Sequence, residues 1–130
     1  MAVQFDLVSP ERRLASVTAS EVQIPGADGD LTAMEGHAPT ITTLRPGILR
    51  ALASDGTKSF VVTGGFAEIN ATGVTVLAER AVPVEEASHS LMDEILAEAR
   101  SLAAVALPED KDMAEKMVAD ILALKEHAAH

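Results

Sequence analysis

The chain has 130 residues with 10 basic and 20 acidic side chains, so its formal net charge is −10. This charge argues against general nucleic-acid binding, which needs basic patches to displace counterions, and against adsorption to anionic lipid. The absence of cysteine excludes disulfides and thiol chemistry. No apolar run approaches the ~18 residues of a membrane span, and the N-terminus lacks the features of a signal peptide. We therefore expect a single soluble domain with an appendage and no direct membrane insertion.

The chain as far as Pro83 reads as a series of short strands. Val3, Phe5 and Leu7 alternate with polar residues, the pattern of a half-buried strand. Turn signals recur every ~8–10 residues, the spacing of an all-β sandwich or barrel. No helical crossover fits between any two of these runs, which argues against a parallel α/β fold. Further strand-like runs lie at residues 14–17, 22–24, 31–34, 40–44, 48–53, 60–63, 66–69 and 74–78.

Glycines and prolines mark two places where the backbone must turn or bend. Residues 26–47 contain four glycines and two prolines, so this stretch cannot be a helix, and Asp28-Gly29 is its strongest hairpin signal. Gly64-Gly65 interrupts a strand-like run. That pair predicts a β-bulge, a close approach of another backbone, or a simple corner of the sheet, and the sequence does not choose among them.

The period of the apolar residues changes after Val84-Glu85, which we take as the boundary between a β-domain (1–84) and a helical hairpin (85–130). One predicted helix carries its apolar face on Leu91, Ile95, Ala99 and Leu102, and a second, from about Lys111 to Glu126, on Met113, Met117, Ile121 and Leu124. Ser90 and Asp93 resemble a capping box, with Ser88 as a rival cap. The apolar stripes are narrow, so the hairpin should bury little and either dock weakly on the β-domain or leave it.

The residues themselves show no catalytic or cofactor site. His37 is the only histidine in the β-domain and lacks a neighbouring nucleophile, so a hydrogen-bonding role in its loop is the better interpretation. Asp28, Asp30, Glu35 and His37 are close in sequence, but nothing indicates that they converge on a metal. Neither glycine-rich stretch leads into a helix with the residues of a phosphate-binding loop. From its residues alone, the chain is a β-sheet interaction module with a mobile acidic hairpin.

Six segments in this order resemble the epsilon subunit family of bacterial F-type ATP synthase, which is similar to the mitochondrial delta subunit. They are Leu7-Val8-Ser9-Pro10-Glu11-Arg12, residues 25–31, Gly36-His37-Ala38-Pro39, Leu44-Arg45-Pro46-Gly47, Gly64-Gly65-Phe66-Ala67-Glu68 and residues 74–79. The resemblance implies a ten-stranded β-sandwich followed by an antiparallel two-helix hairpin. It also implies a non-catalytic central-stalk (rotor) subunit that couples the c-ring and gamma rotation to ATP synthesis. Such a subunit lies peripherally at the cytoplasmic face of the bacterial inner membrane.

The resemblance also assigns contact residues. The loop that meets the c-ring in the family matches Asp28, Gly29, Asp30 and Leu31, and the face toward gamma matches the stretch around His37 and Thr42. In many family members the hairpin extends along gamma toward the alpha and beta catalytic subunits and blocks ATP hydrolysis through basic residues. Some members bind ATP between the two helices through a motif in the first helix and arginines in the second.

This hairpin departs from both of those family properties. It lacks the ATP-binding motif, and its second helix has no arginine. Residues 85–130 carry four basic and eleven acidic side chains, a net charge of −7, whereas residues 1–84 carry −3. An acidic hairpin should be repelled by an acidic target. We therefore expect no cofactor, no ATP bound to the hairpin, and weak inhibition of hydrolysis.

Two alternatives remain open at this point. The chain could act chiefly as an inhibitor of ATP hydrolysis through an extending hairpin, with lysine contacts outweighing net charge. It could instead be a free-standing ligand-binding β-sandwich with the hairpin as a lid. Co-purification with gamma separates this last reading from the other two.

Overall fold

The computed structural model describes residues 2–128, and the side chains of residues 2–126. The sheet strands are β1 (Val3–Val8), β2 (Arg13–Ala19), β3 (Glu21–Gly26), β4 (Gly29–Met34), β5 (Thr40–Thr43), β6 (Gly47–Ala53), β7 (Gly56–Ile69) and β8 (Gly73–Pro83). A 3-10 turn (Val84–Glu86) leads into α1 (His89–Ala104), and α2 (Lys111–Ala128) follows. No helix in the described range is long and apolar enough to cross a membrane.

The strands form one mixed sheet in the order β2-β1-β8-β7-β6-β3-β4, with β5 paired to β7 outside this path. Only the β1–β8 pair is parallel among the strand pairs of the described residues, and all others are antiparallel. The first part of β7 pairs with β6, and its last four residues pair with β5. The sheet therefore folds over into two layers, and β7 and β8 belong to both.

Gly64-Gly65 forms the corner between the layers. Their φ angles are 77° and 102°, which residues with a side chain rarely adopt. The register between β7 and β8 is unchanged on both sides of the corner, from Phe60↔Pro83 to Ile69↔Val74, so there is no bulge. A Cβ on Gly65 would lie 2.1 Å from the Leu77 carbonyl oxygen, so two backbones approach closely here.

The described residues contain eight strands rather than the ten that the resemblance implies, and the corner accounts for one strand too many in the reading of the sequence. The two glycines were taken as the end of one strand and the start of another. The strand in fact continues through them, because β8 runs alongside and pairs with β7 in the same register on both sides of Gly64. The Asp28-Gly29 hairpin is confirmed, since Gly26 pairs with Gly29 at the end of the β3–β4 ladder.

Apolar side chains from both layers fill the space between them. Phe5 in β1 and Phe60 in the first part of β7 lie on opposite layers, with ring centroids 6.4 Å apart. Around them pack mostly small and branched residues, as the near absence of aromatics requires. The most deeply buried include Val3, Leu7, Val22, Ile24, Leu49, Val62, Ala67, Ile69, Val74 and Val76.

The helical hairpin packs on the outer face of the sheet and builds a second, separate core. Val61 of β7 is buried there although its neighbour Val62 faces the first core, so β7 is covered on both sides. The helices contribute Met92, Ile95, Leu96, Ala99, Ile121 and Leu124. The hairpin thus buries more than its sequence predicted.

Two details of the helices also differ from expectation. The Ser88 hydroxyl accepts a hydrogen bond from the Leu91 backbone N–H at 3.1 Å, so Ser88 is the N-cap and the Ser90 capping box is wrong. Asp93, the supposed partner of Ser90, forms an ion pair with Lys125 of α2 instead. Leu102 and Met113, placed on the apolar stripes, are exposed because each lies at the free end of the hairpin.

Candidate functional site

The β3–β4 hairpin presents the segment that the resemblance assigned to the c-ring. Asp28, Gly29 and Asp30 are exposed at its end, and Leu31 is half-buried against the sheet core. Gly29 has a φ of 137°, which the tight turn requires. Asp30 forms an ion pair with Arg45, whereas Asp28 has no ion-pair partner within the described residues. The turn therefore exposes one carboxylate that has no ion-pair partner among the described residues.

Arg45 holds this turn in place, a role that inspection of the sequence missed. Its Nη1 donates a hydrogen bond of 2.6 Å to the Gly26 carbonyl, and its Nη2 pairs with Asp30. Its backbone N–H donates to the Pro25 carbonyl at 3.0 Å. In the sequence, the Leu44-Arg45-Pro46-Gly47 segment is notable as one of the six segments that carry the family resemblance, and nothing in it indicates a role for Arg45. Because Arg45 reaches across 19 positions of sequence, no local pattern could have indicated its partners.

The turn is also joined to β5, where the second assigned segment lies. The Ala27 backbone N–H donates to the Thr43 carbonyl at 2.9 Å, and Gly26 forms an isolated bridge with Leu44. β5 is paired in turn with the last residues of β7. A force on the β3–β4 turn is therefore carried to the β5–β7 face through backbone hydrogen bonds, without a flexible linker.

His37 and Thr42, the residues assigned to gamma, are both half-buried. The Nδ1 of His37 lies 2.7 Å from the Ala38 carbonyl oxygen, which can only accept, so this ring nitrogen carries a proton. The Thr42 hydroxyl donates to the Thr43 carbonyl at 3.2 Å. Thr42 pairs with the fully buried Ala67, so it lies on the inner side of β5 at the rim of the sandwich.

Apolar residues on the opposite, outer side of β5, β7 and β8 form a surface that sequence reasoning did not identify. We call it the outer apolar face and define it by Ile41, Phe66 and Leu77, which are 72%, 40% and 41% exposed. Phe66 is directly paired with Leu77, and Leu77 with the half-buried Val8 of β1. A solvated sheet face is normally polar, and contiguous exposed apolar residues commonly mark an interface.

A signal for the outer apolar face was present in the sequence. Val74-Thr-Val-Leu-Ala and Phe66-Ala67 are nearly continuous apolar runs rather than alternating ones, which indicates strands covered on both faces. The next row of the same outer face begins with Ile41 and continues with polar residues, since Ile41 is paired with Glu68, Glu68 with Thr75 and Thr75 with Asp6. The apolar part is therefore a bounded patch with a polar rim.

The acidic residues near His37 do not converge. Asp30 pairs with Arg45, and Glu35 accepts a hydrogen bond from the Ala2 backbone N–H at 2.8 Å. Among the described side chains of residues 2–126, no group of three or more histidine or acidic residues is placed to hold a metal ion.

Comparison with known proteins agrees with this architecture. The family model for the ATP synthase delta/epsilon chain β-sandwich domain matches residues 2–84. The ATP synthase epsilon chain of Cereibacter sphaeroides is 68% identical over 128 residues, covering 98% of this chain and 97% of that protein. The Rhodobacter capsulatus epsilon chain is 57% identical, covering 96% and 95%.

Solved structures resemble the chain as well. The chain is similar to part of the Euglena gracilis mitochondrial ATP synthase, in a cryo-EM structure of OSCP, F1 and the c-ring, with a TM-score of 0.73 and 26% identity. That match covers 99% of this chain and 82% of the other, so it includes the hairpin. A Tetrahymena thermophila central-stalk and c-ring structure matches at a TM-score of 0.55 and 17% identity, which shows a shared fold.

These matches define the class of protein as an ATP synthase subunit with a β-sandwich and two helices. The chain belongs to the ATP synthase delta/epsilon family and is a non-catalytic subunit of that complex, which serves ATP synthesis and ion transport.

Proposed function

We propose that the chain is a rotor element that joins the c-ring to gamma and turns with both. The observation that supports this most directly is the outer apolar face at Ile41, Phe66 and Leu77, a bounded apolar patch on an otherwise acidic protein. This face contacts gamma, and so does the neighbouring stretch around His37 and Thr42, with Thr42 on the inner side of the edge strand β5. The hydrogen-bonded connection from the β3–β4 turn to β5 supplies the stiffness that torque transmission needs.

The β3–β4 turn, Asp28 to Leu31, contacts the c-ring. Arg45 neutralises Asp30, which leaves Asp28 as the charge that meets basic polar loops of the ring. The match to a structure containing F1 and the c-ring supports this partner. Membrane attachment is then indirect, through the ring, at the cytoplasmic face of the bacterial inner membrane.

Binding to gamma tests the outer apolar face. The double substitution Phe66→Asp and Leu77→Asp places two charges in the patch while both positions stay accessible to water in the free chain. Loss of an apolar anchor at an interface costs about 2 kcal/mol or more, roughly thirtyfold in affinity. Thr57→Asp is the control, because Thr57 is exposed at the opposite end of β7 from Phe66, where it pairs with Leu52 and lies outside the patch. Equal binding of both variants would contradict the proposed face.

The hairpin inhibits ATP hydrolysis weakly and binds no ATP. Its lysines and arginine are few against eleven carboxylates, and it is docked on the sheet through buried apolar residues and ion pairs. The Arg80 guanidinium donates to both Glu98 carboxylate oxygens at 2.8 and 2.9 Å and lies 3.6 Å from Glu94. Desolvation opposes the charged form of Arg80, but these carboxylates outweigh it and raise its pKa.

Two measurements separate the candidate functions. The ATP hydrolysis rate of the assembled complex is compared between the full chain and a version ending at Glu85. Equal rates fit a coupling element, and a large rise on truncation would favour a regulatory inhibitor. Failure to co-purify with gamma would instead favour a free-standing ligand-binding protein.

A further inference from the structure

The free end of the helical hairpin exposes large apolar side chains. Leu102, Val105, Leu107 and Met113 lie between the last turn of α1 and the first turn of α2, and each is between 60% and 77% exposed. The apolar residues nearer the sheet, such as Ile95 and Ile121, are buried. We call residues 102–115 the hairpin tip. Four strongly exposed apolar side chains in so short a segment are typical of an interaction surface.

Most carboxylates of the hairpin outside the tip form ion pairs: Glu86 with Arg12, Glu94 and Glu98 with Arg80, Asp93 with Lys125 and Asp120 with Lys116. Glu126, close to the end of α2, forms none among the described residues. The four carboxylates in the tip, Glu109, Asp110, Asp112 and Glu115, have no ion pair within the described residues. Lys111 is the tip's single basic residue. The tip is therefore apolar and carries unneutralised negative charge.

Local structure explains only part of this composition. Asp110 and Asp112 flank the start of α2, where carboxylates are favourable because the helix dipole is positive at that end. The same reasoning does not apply to Glu115, which lies a turn further on. The helix dipole also does not explain the exposed apolar residues of the tip. Their exposure to water is unfavourable in free energy, and they are not part of the hairpin core.

We propose that the hairpin tip docks a cationic segment of a partner polypeptide, one that presents an apolar face between basic side chains. The apolar residues of the tip form the centre of the contact, and its carboxylates form a polar rim that selects basic residues. The negative charge of the tip also argues against two other partners, a second copy of this chain and an acidic protein. A second copy of this chain would bring net −10 against net −10, and an acidic partner would be repelled in the same way.

This surface is distinct from the two proposed for the rotor. The β3–β4 turn and the outer apolar face belong to the β-domain, whereas the tip joins the two helices. The helices pack on the sheet mainly through residues outside the tip, and Leu102 borders the sheet at a cavity that Glu79 and Arg80 also line. Docking at the tip needs no extension of the hairpin, because the four apolar side chains are already exposed in the docked arrangement.

Photo-crosslinking in the assembled complex tests whether the tip has a partner. Benzoylphenylalanine replaces Val105, which is exposed and outside the core, and Ala119, exposed midway along α2, is the background position. The expected result is a product at Val105, above the Ala119 background, whose partner peptide carries net positive charge and apolar residues. No product above background, or a product with an acidic peptide, would overturn the proposal.

A peptide titration of the free full-length chain tests the recognition chemistry. The probe is a synthetic helical peptide with leucine on one face and lysine on the other, followed by amide chemical shifts. Saturable shifts confined to residues 102–115, lost with the glutamate version of the peptide and weakened at least tenfold by Leu107→Asp, are expected. Shifts centred on the sheet, or equal responses to both peptides, would overturn it. The lysine-dependent response should also weaken as salt is raised.

Discussion

The corner at Gly64-Gly65 makes a quantitative prediction about stability. In Gly65→Ala the new Cβ would lie 2.1 Å from the Leu77 carbonyl oxygen and 2.8 Å from the Ala78 Cα, both atoms of the backbone of β8. Backbone cannot rotate away as a side chain can, so β7 and β8 must separate. Holding a side-chain-bearing residue at this φ costs about 1–3 kcal/mol, and the overpacking adds roughly 1–3 kcal/mol.

Gly56→Ala is the matched control for the corner. Gly56 has a φ of 128° but no atom within 4 Å of its Cβ position, so its substitution reports the backbone cost alone. Urea unfolding of both variants should show Gly65→Ala less stable than Gly56→Ala by at least about 1 kcal/mol, the lower end of the overpacking cost. Equal losses in the two variants would refute the close approach of β7 and β8 as the basis of the corner.

Three predictions concern the docking of the hairpin. Leu96→Ala removes a buried side chain between α1 and the sheet, at a cost of about 2–5 kcal/mol, and should speed amide exchange in both helices while leaving the β-domain protected. Arg80→Gln should weaken docking by about 1 kcal/mol or less, because Arg80 and its partners are partly exposed, and high salt should reduce the loss. Arg50→Gln is the control and should leave docking unchanged, because Arg50 is exposed and belongs to none of the described ion pairs. The hydrogen bond from Lys125 lowers the pKa of Asp93, so its stabilising effect is present above the ordinary pKa of about 3.9 and is lost as pH falls through the lower folded value. Asp93→Asn should therefore lower the protection of the hairpin from amide exchange at pH 7. The variant should match the unsubstituted chain at a pH below the folded pKa of Asp93, and a difference that does not change with pH would contradict the ion pair of Asp93 with Lys125.

The parts of the fold that depend on local chemistry could be predicted from the sequence. The Asp28-Gly29 turn needs a positive φ, and glycine supplies it without steric cost. The change from strand to helix near Pro83 follows from the change in apolar period. The strand count could not be predicted in the same way. Whether Gly64-Gly65 ends a strand or bends it depends on β8, which follows in the sequence and keeps its pairing across the corner.

The candidate surfaces needed the structure for a similar reason. Arg45 acts on Gly26 and Asp30 across a distance in sequence that no motif spans. The outer apolar face combines residues from β5, β7 and β8, which are assembled only by the register of the sheet. Ser88 rather than Ser90 caps α1 because Ser88 retains an extended backbone, with φ −77° and ψ 163°, while Ser90 is already inside the helix.

The most direct test of the rotor account is proton-driven ATP synthesis by the reconstituted complex, with and without this chain. Omission of the chain should abolish coupled synthesis while leaving the catalytic subunits able to hydrolyse ATP. Adding back the full chain, or the version ending at Glu85, should restore synthesis, whereas the Phe66→Asp, Leu77→Asp chain should not. Normal synthesis without the chain, or full restoration by the doubly substituted chain, would contradict its role as the link between the c-ring and gamma.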